Sequence, residues 1–201
     1  MYQLDLFKPL VSDYTIEVRR DGWRESPRED YNLGMFFTHN DKYISNEYRN
    51  GISFDDFSSM DEIEEYMQKK GFITERVCVY DHSGVSLYIG EPTCRWDSGY
   101  IGLYIADKDD VRKAFGVKRI SSKLLKKVRE GMKAEVETMN NWINGNVFEF
   151  SLRLGDEEVN SCSGFIADNE EEALDWMLSY MGNEFVNAPR EEILKITKFD
   201  C

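Results

Sequence analysis

The chain has 201 residues, 41 % of them aliphatic or aromatic, enough to bury a core without disulfide or metal staples, which argues against disorder. A formal charge of −13 and a pI near 4.7 oppose contact with a nucleic-acid backbone except through a local basic patch. No apolar run approaches the ~20 residues needed to span a bilayer, the N-terminal MYQLDLFKPL lacks a basic-then-apolar signal pattern, and Cys78, Cys94, Cys162 and Cys201 lack CxxC spacing, so a reducing cytoplasm is the expected setting.

In chain order, YTIEVRR (14–20) alternates and is β-branched, and predicts a strand. DGWRESPRED reads as a polar loop broken by Gly22 and Pro27, and LGMFFTH as a second strand. SSMDEIEEYMQKKG predicts a helix, with Ser58 three residues before Asp61 as a capping-box start, Gly71 as the stop, and Ile63, Tyr66 and Met67 as the apolar face. ERVCVYD and VSLYIG predict a β-hairpin around DHSG, with Ser83–Gly84 as the central pair, Gly84 free to take positive φ, and Asp81 and His82 at the tip. EPTCRWDSG follows as a loop with turn residues Asp97-Ser98-Gly99, and YIGLYIA returns as a strand.

Asp107 then caps a short helix closed by Gly116. The longest helix is predicted from about Ser121 to Asn144, where Leu125, Val128, Met132, Val136, Met139 and Ile143 recur at three- and four-residue steps. NVFEFSLRL and VNSCSGFIA form a second hairpin pair around GDEE, DNEEEALDWMLSYMG is another capped helix, and Pro189 opens a last short one. Two stretches, at 100–116 and 158–182, share the order strand, Ile-Ala-Asp, acidic first turn, helix, a weak internal repeat. The sum is a single α+β domain over 1–201, with a mostly antiparallel sheet, one long helix and several short ones.

Three stretches, ESPREDYNLGMFFTHNDKYISNE, YDHSGVSLYIGEPTCRWDSGYIGLYIAD and GNVFEFSLRLGDEEVNSCSGFIAD, resemble a family of uncharacterised proteins from bacteriophages and mobile genetic elements. Members of that family carry a similar Ser-Pro-Arg-Glu with Asn-Leu-Gly, then Tyr-Asp-His-Ser-Gly, then Cys-Pro-Trp-Asp-Ser-Gly, then a late Asp-Ser-Cys-Trp-Gly-Phe. Here Asp30-Tyr31 replaces the usual Trp-Asp, Arg95 stands for Pro, Asn160 for the acid, and Ser163 for Trp. The resemblance implies a phage or mobile-element accessory protein in a bacterial cytoplasm, and it implies no activity.

Chemistry offers several candidate sites. His82 suits a general base, oriented by Asp81 or Asp97, with Ser98, Ser83 or Cys94 as nucleophile; a small hydrolase or metal-dependent enzyme would centre on His82, Asp97 and Cys94. His39, His82, Cys94 and Cys162 offer ligands for zinc, though without ligand-like local spacing, so no cofactor is the main expectation. Phosphate-binding glycine motifs are absent from the sequence.

Nine basic residues and one acid lie between Arg112 and Lys133, leaving a formal −21 elsewhere. Lys123, Lys126, Lys127 and Arg129 could therefore contact phosphates. Acids cluster at Asp55, Asp56, Asp61, Glu62, Glu64 and Glu65, and at Asp168, Glu170, Glu171, Glu172 and Asp175, as a DNA mimic would require. Trp23, Tyr31, Tyr43, Tyr48 and Trp96 sit in polar loop contexts where aromatic residues anchor interfaces.

The leading expectation is macromolecular binding through Trp96, Asp97, Asp81, His82 and Glu170–Glu172. Its concrete form is a counter-defence inhibitor of a host nuclease or a restriction or CRISPR complex, with an acidic DNA-mimicking face. The expected partner is thus a host protein or protein–nucleic-acid complex, with no membrane; direct nucleic-acid contact through the basic helix and self-association are the lesser options.

Overall fold

The computed structural model describes residues 10–22, 25–39 and 42–200. Its strands are β1 (Tyr14–Arg20), β2 (Met35–Thr38), β3 (Phe72–Asp81), β4 (Val85–Ile89), β5 (Ser98–Asp107), β6 (Val147–Leu154), β7 (Glu157–Ile166) and β8 (Thr197–Asp200). Its helices are α1 (Met60–Lys69), α2 (Lys108–Ala114), α3 (Ser122–Ile143), α4 (Glu170–Met181), α5 (Asn183–Val186) and α6 (Arg190–Ile196), with short 3-10 turns at Val11–Asp13 and Phe54–Asp56. The fold is α+β. It is mostly antiparallel, as the sequence predicts, with two four-stranded sheets among the described residues, and the chain clusters into two compact units, Ser26–Asn140 and the pair Met1–Glu25 with Asn141–Cys201.

The inner unit, Ser26–Asn140, carries the sheet β2-β5-β3-β4, antiparallel throughout. Successive strand residues point to opposite faces. Phe37, Leu103 and Ile105 therefore meet Ile63 and Met67 of α1 on one face, while Tyr104 on the other donates from its hydroxyl to Glu135 of α3, 2.6 Å away. With both faces covered, β5 is buried without alternation from Ile101 to Ala106, the pattern of a central strand. On α3, Val128, Met132, Val136 and Met139 are buried, which gives the predicted apolar stripe its physical basis.

The outer unit carries the sheet β7-β6-β1-β8. Ile16 and Val18 of β1 and Phe148, Phe150 and Leu152 of β6 pack against Leu174 and Met177 of α4, Phe185 of α5 and Ile193 of α6. β8 adds to β1 in parallel, the one parallel pair among the described strands. β7 is an edge strand with exposed residues along most of its length, and among the described strands it pairs only with β6.

Several local readings shift by a residue or two. The cap of α1 is Ser59, whose hydroxyl accepts from the Glu62 amide, while Ser58 donates its own amide to the Glu62 carboxylate. Gly84 is not among the positive-φ glycines, because the hairpin closes at Asp81↔Val85 over three residues, His82–Gly84, and not over a two-residue turn. Ser98 and Gly99 already belong to β5, paired with Tyr80 and Val79. Asp107 caps α2, accepting from the Asp109 and Asp110 amides. In the second half of the weak repeat the cap moves on to Asn169, and Asp168 instead accepts from Asn141 Nδ2 at 2.8 Å. Pro189 is the N-cap of α6 and lies just outside it.

Candidate functional site

The hairpin tip and the loop before β5 form one node in the inner unit. The Asp81 amide donates to the Asp97 carbonyl at 2.8 Å, which ties the tip of β3 to the loop. Ser98 Oγ accepts from the Cys94 amide and donates to the Cys94 carbonyl, both at 2.6 Å, closing the Cys94–Ser98 turn from inside. Asp97 then receives two side chains: Cys94 Sγ donates to its Oδ2 at 3.4 Å, and His82 Nδ1 lies 3.4 Å from its Oδ1. From the other side, Lys42 Nζ and the Tyr43 hydroxyl donate to Asp81 Oδ2 at 2.9 and 2.7 Å. These two hydrogen bonds hold the Asp81 carboxyl below its ordinary range.

His82, Asp97 and Cys94 are thus brought together, but in an order that differs from a nucleophilic relay. A relay places the imidazole between nucleophile and carboxylate. Here the carboxylate stands in the middle, and among the described residues His82 makes no hydrogen bond with Cys94 or Ser98. The His82 side chain is 65 % exposed. An exposed single contact contributes little to stability, so His82→Ala is expected to change the unfolding free energy by less than about 0.5 kcal/mol. Urea denaturation checks this, and a loss above about 1 kcal/mol would show that the imidazole braces the node.

The remaining zinc candidates lie elsewhere. His39 Nδ1 lies 2.9 Å from the Ile101 carbonyl, which can only accept, so Nδ1 is the donor in this contact. His39 lines a cleft of about 290 Å3 with Phe54, Phe57, Ile63 and Tyr100, a placement nothing in the local sequence signals. Cys162 is on β7 of the outer unit, its thiol 3.8 Å from the Ser163 carbonyl. Cys78 is buried, and burial pushes its thiol up to about 11. Among the described residues no three His, Cys, Asp or Glu side chains are placed to hold one metal ion.

A second polar node, unforeseen from sequence, lies inside the same unit. Arg28 donates to both oxygens of Glu47 (2.8 and 2.7 Å), to the Tyr104 hydroxyl (2.8 Å) and to the Gly34 carbonyl (2.8 Å). Its guanidinium also lies over the rings of Phe36 and Tyr104. Glu135 accepts from the Leu33 and Gly34 amides and from Tyr104. Burial, together with the Glu135 contact, pushes the Tyr104 phenol far above its ordinary range, so it remains a proton donor. Burial opposes the Arg28 charge, but Glu47 and Tyr104 outweigh it and the guanidinium is held more firmly protonated. Asn32 Nδ2 bridges the Pro27 and Asp30 carbonyls at 2.9 and 2.8 Å. Arg28 of Ser-Pro-Arg-Glu and the Asn-Leu-Gly residues thus take part in a partly buried brace.

The charged candidates differ in how far they are committed. On α4, Glu172 accepts from the Asp168 amide at 2.8 Å, Glu171 and Asp175 face Arg190, and Glu170 lies 4.0 Å from Arg20. On α1, Asp61 and Glu64 hold Arg76, and Glu65 holds Lys69. Most of these acids thus have a cation or amide partner within the chain, while Asp61, Glu65, Glu171 and Asp175 stay more than half exposed, and the two clusters belong to different units. In the basic segment, Lys126 and Arg129 face Glu130 and Glu75, Lys127 lies over the Phe115 ring, and Lys123 makes no ion pair among the described residues.

Among the loop aromatics, Trp23 lies outside the described residues. Tyr48 packs edge-on against Phe37 and Phe72 in the core, and Tyr43 is held by Asp81. Tyr31 and Trp96 are turned outward, 81 % and 85 % exposed. Compared with known proteins, the chain matches no family model, no curated protein and no solved structure.

Proposed function

We propose that the protein works by binding a macromolecule through the Asp81–Asp97 node, with Trp96 as the anchor. The observation that carries this reading is an indole 85 % exposed on a turn whose backbone is tied at both ends. The Arg95 guanidinium lies over the indole, 5.4 Å from the ring centroid. Large aromatic residues on pre-ordered turns lose little entropy on binding and dominate interface energetics. Asp97 follows it in the chain and ties His82 and the Asp81 amide into the same node, so polar groups accompany the anchor.

With the sequence resemblance, the concrete version is an accessory protein of a phage or mobile element that inhibits a host nuclease or a restriction complex in the bacterial cytoplasm. The internal commitments of the carboxylates on α1 and α4 favour the Trp96 surface over an acidic DNA-mimicking face. The hydrolase reading centred on His82, Asp97 and Cys94 gains no support from a carboxylate placed between thiol and imidazole.

Trp96→Ala is expected to leave the melting temperature unchanged and to weaken partner binding by at least about 30-fold, the scale of an interface hot spot of ~2 kcal/mol. The measurement is affinity capture from bacterial lysate with wild type and variant in parallel, followed by titration of the retained partner. Equal retention by both proteins would remove Trp96 from the interface.

A further inference from the structure

We propose that the inner unit carries a separate surface, formed by the N-terminal half of α3 and the segment leading into it, that binds B-form duplex DNA through its phosphates. Residues 108–133 hold ten Lys or Arg and three acids, in a chain whose formal charge is −13. Part of this charge is neutralised locally: Arg112 and Lys113 pair with Asp109 and Asp110, and Lys126 and Arg129 with Glu130 and Glu75. Lys108, Lys118, Arg119, Lys123 and Lys133 have no ion pair among the described residues, and the last four are exposed.

The helix end adds to this. α1, α2, α4 and α6 each have acids in the first turn, whereas α3 has none and places Lys123 there. A cation at the positive end of the helix dipole is unfavourable for the isolated protein, and an anion in contact would reverse that sign. Ser121 caps the helix, accepting from the Leu124 amide at 3.2 Å, so the dipole is presented by an ordered end.

Shape selects the kind of polyanion. Grooves run along more than one side of this half-helix: one carries Lys123 and Lys127, another Lys118 and Arg119, a third Arg129 and Lys133. Cations therefore flank the helix on several sides, as required of an element about 10–12 Å across entering a major groove about 12 Å wide between two phosphate rows. From Lys123 to Lys133 the helix rises about 15 Å, the reach of several phosphates at one charge per ~1.7 Å. Single strands are held by bases stacking on open aromatic rings. The large aromatic exposed on this surface is Phe115, at 36 %, and the Lys127 ammonium already lies over its ring. Phosphate contact to a duplex is what the surface offers.

The test is fluorescence anisotropy of a labelled 20-base-pair duplex with the full chain, between 50 and 200 mM salt. The five unpaired cations predict a log–log salt slope of about −4 to −5. The double variant Arg119→Gln/Lys123→Gln should reduce that slope by about 2 with an unchanged thermal melt, and Lys118→Gln/Lys133→Gln should do the same independently. Trp96→Ala should bind the duplex as wild type does, which separates this surface from the one proposed above. Absence of duplex binding at 50 mM salt, or a slope unmoved in both double variants, would overturn the proposal. So would binding to a single strand, to polyglutamate or to anionic vesicles as tight as to the duplex.

Discussion

Replacing Arg28 with Met is expected to cost about 3 kcal/mol of stability, at the low end of the range for breaking a buried charged pair. The Arg28 side chain is 13 % exposed and that of Glu47 27 %. Removing the guanidinium takes four hydrogen bonds at once and leaves the Gly34 carbonyl without its side-chain donor. The Glu47 carboxylate then stands with the Phe36 amide, 2.8 Å away, as its remaining donor from the strand. Partial exposure of Glu47 keeps the cost below that of a fully enclosed orphan charge. Thermal unfolding should show a midpoint lower by roughly 6–12 °C for a chain of this size. Arg28→Met combined with Glu47→Leu should recover part of the loss, because the penalty lies largely in the abandoned carboxylate. A single variant within about 1 kcal/mol of wild type would show that water replaces the guanidinium and that the node is not a brace.

The second large effect is expected at Gly102→Ala, also about 3 kcal/mol. Gly102 pairs with Thr38 across β5 and β2. A methyl group there would fall on the Phe37 carbonyl oxygen and lie 2.8 Å from Thr38 Cα. Both obstacles are backbone, so no rotamer change relieves them, and the two strands must separate. The His39 amide and ring, both bonded to the Ile101 carbonyl, would be pulled along. Gly99→Ala in the same strand is the control: a methyl group there meets nothing within 4 Å, and its effect should stay within about 0.5 kcal/mol. Equal melting temperatures for the two variants would contradict the close approach of β2 and β5.

Legibility from sequence followed the range of the interactions. Periodicity placed β1 at 14–20 because its burial alternates, and placed α3 within a residue or two because its stripe is long. It missed α5 and β8, which are four residues each and owe their form to neighbours: Phe185 is packed into the outer core, and β8 leans on β1. The cap of α1 was misplaced by one residue because Ser58 and Ser59 both fit the pattern, and only geometry tells which hydroxyl meets an amide. For the node, residue types and turn chemistry pointed to Asp81, His82, Cys94, Asp97 and Ser98 together. They could not reveal that the carboxylate would sit in the centre. The Arg28 brace was invisible because its partners, Glu47, Tyr104 and Glu135, are far apart in sequence and each reads locally as ordinary.

The pairing Tyr14↔Leu154 has a consequence for biogenesis. The inner unit is continuous in sequence, whereas the outer one is closed only by residues that follow it. At ribosomal rates of about 5–20 residues per second, β1 must wait on the order of ten seconds or more for β6 to emerge. During that interval the nascent polypeptide carries Ile16 and Val18 without their β6 partners, and the inner unit, more than half of the chain, is complete only at Asn140, shortly before β6 begins at Val147. Chaperone demand should therefore concentrate on the early segment, and a slow stretch of codons between the two units would prolong it.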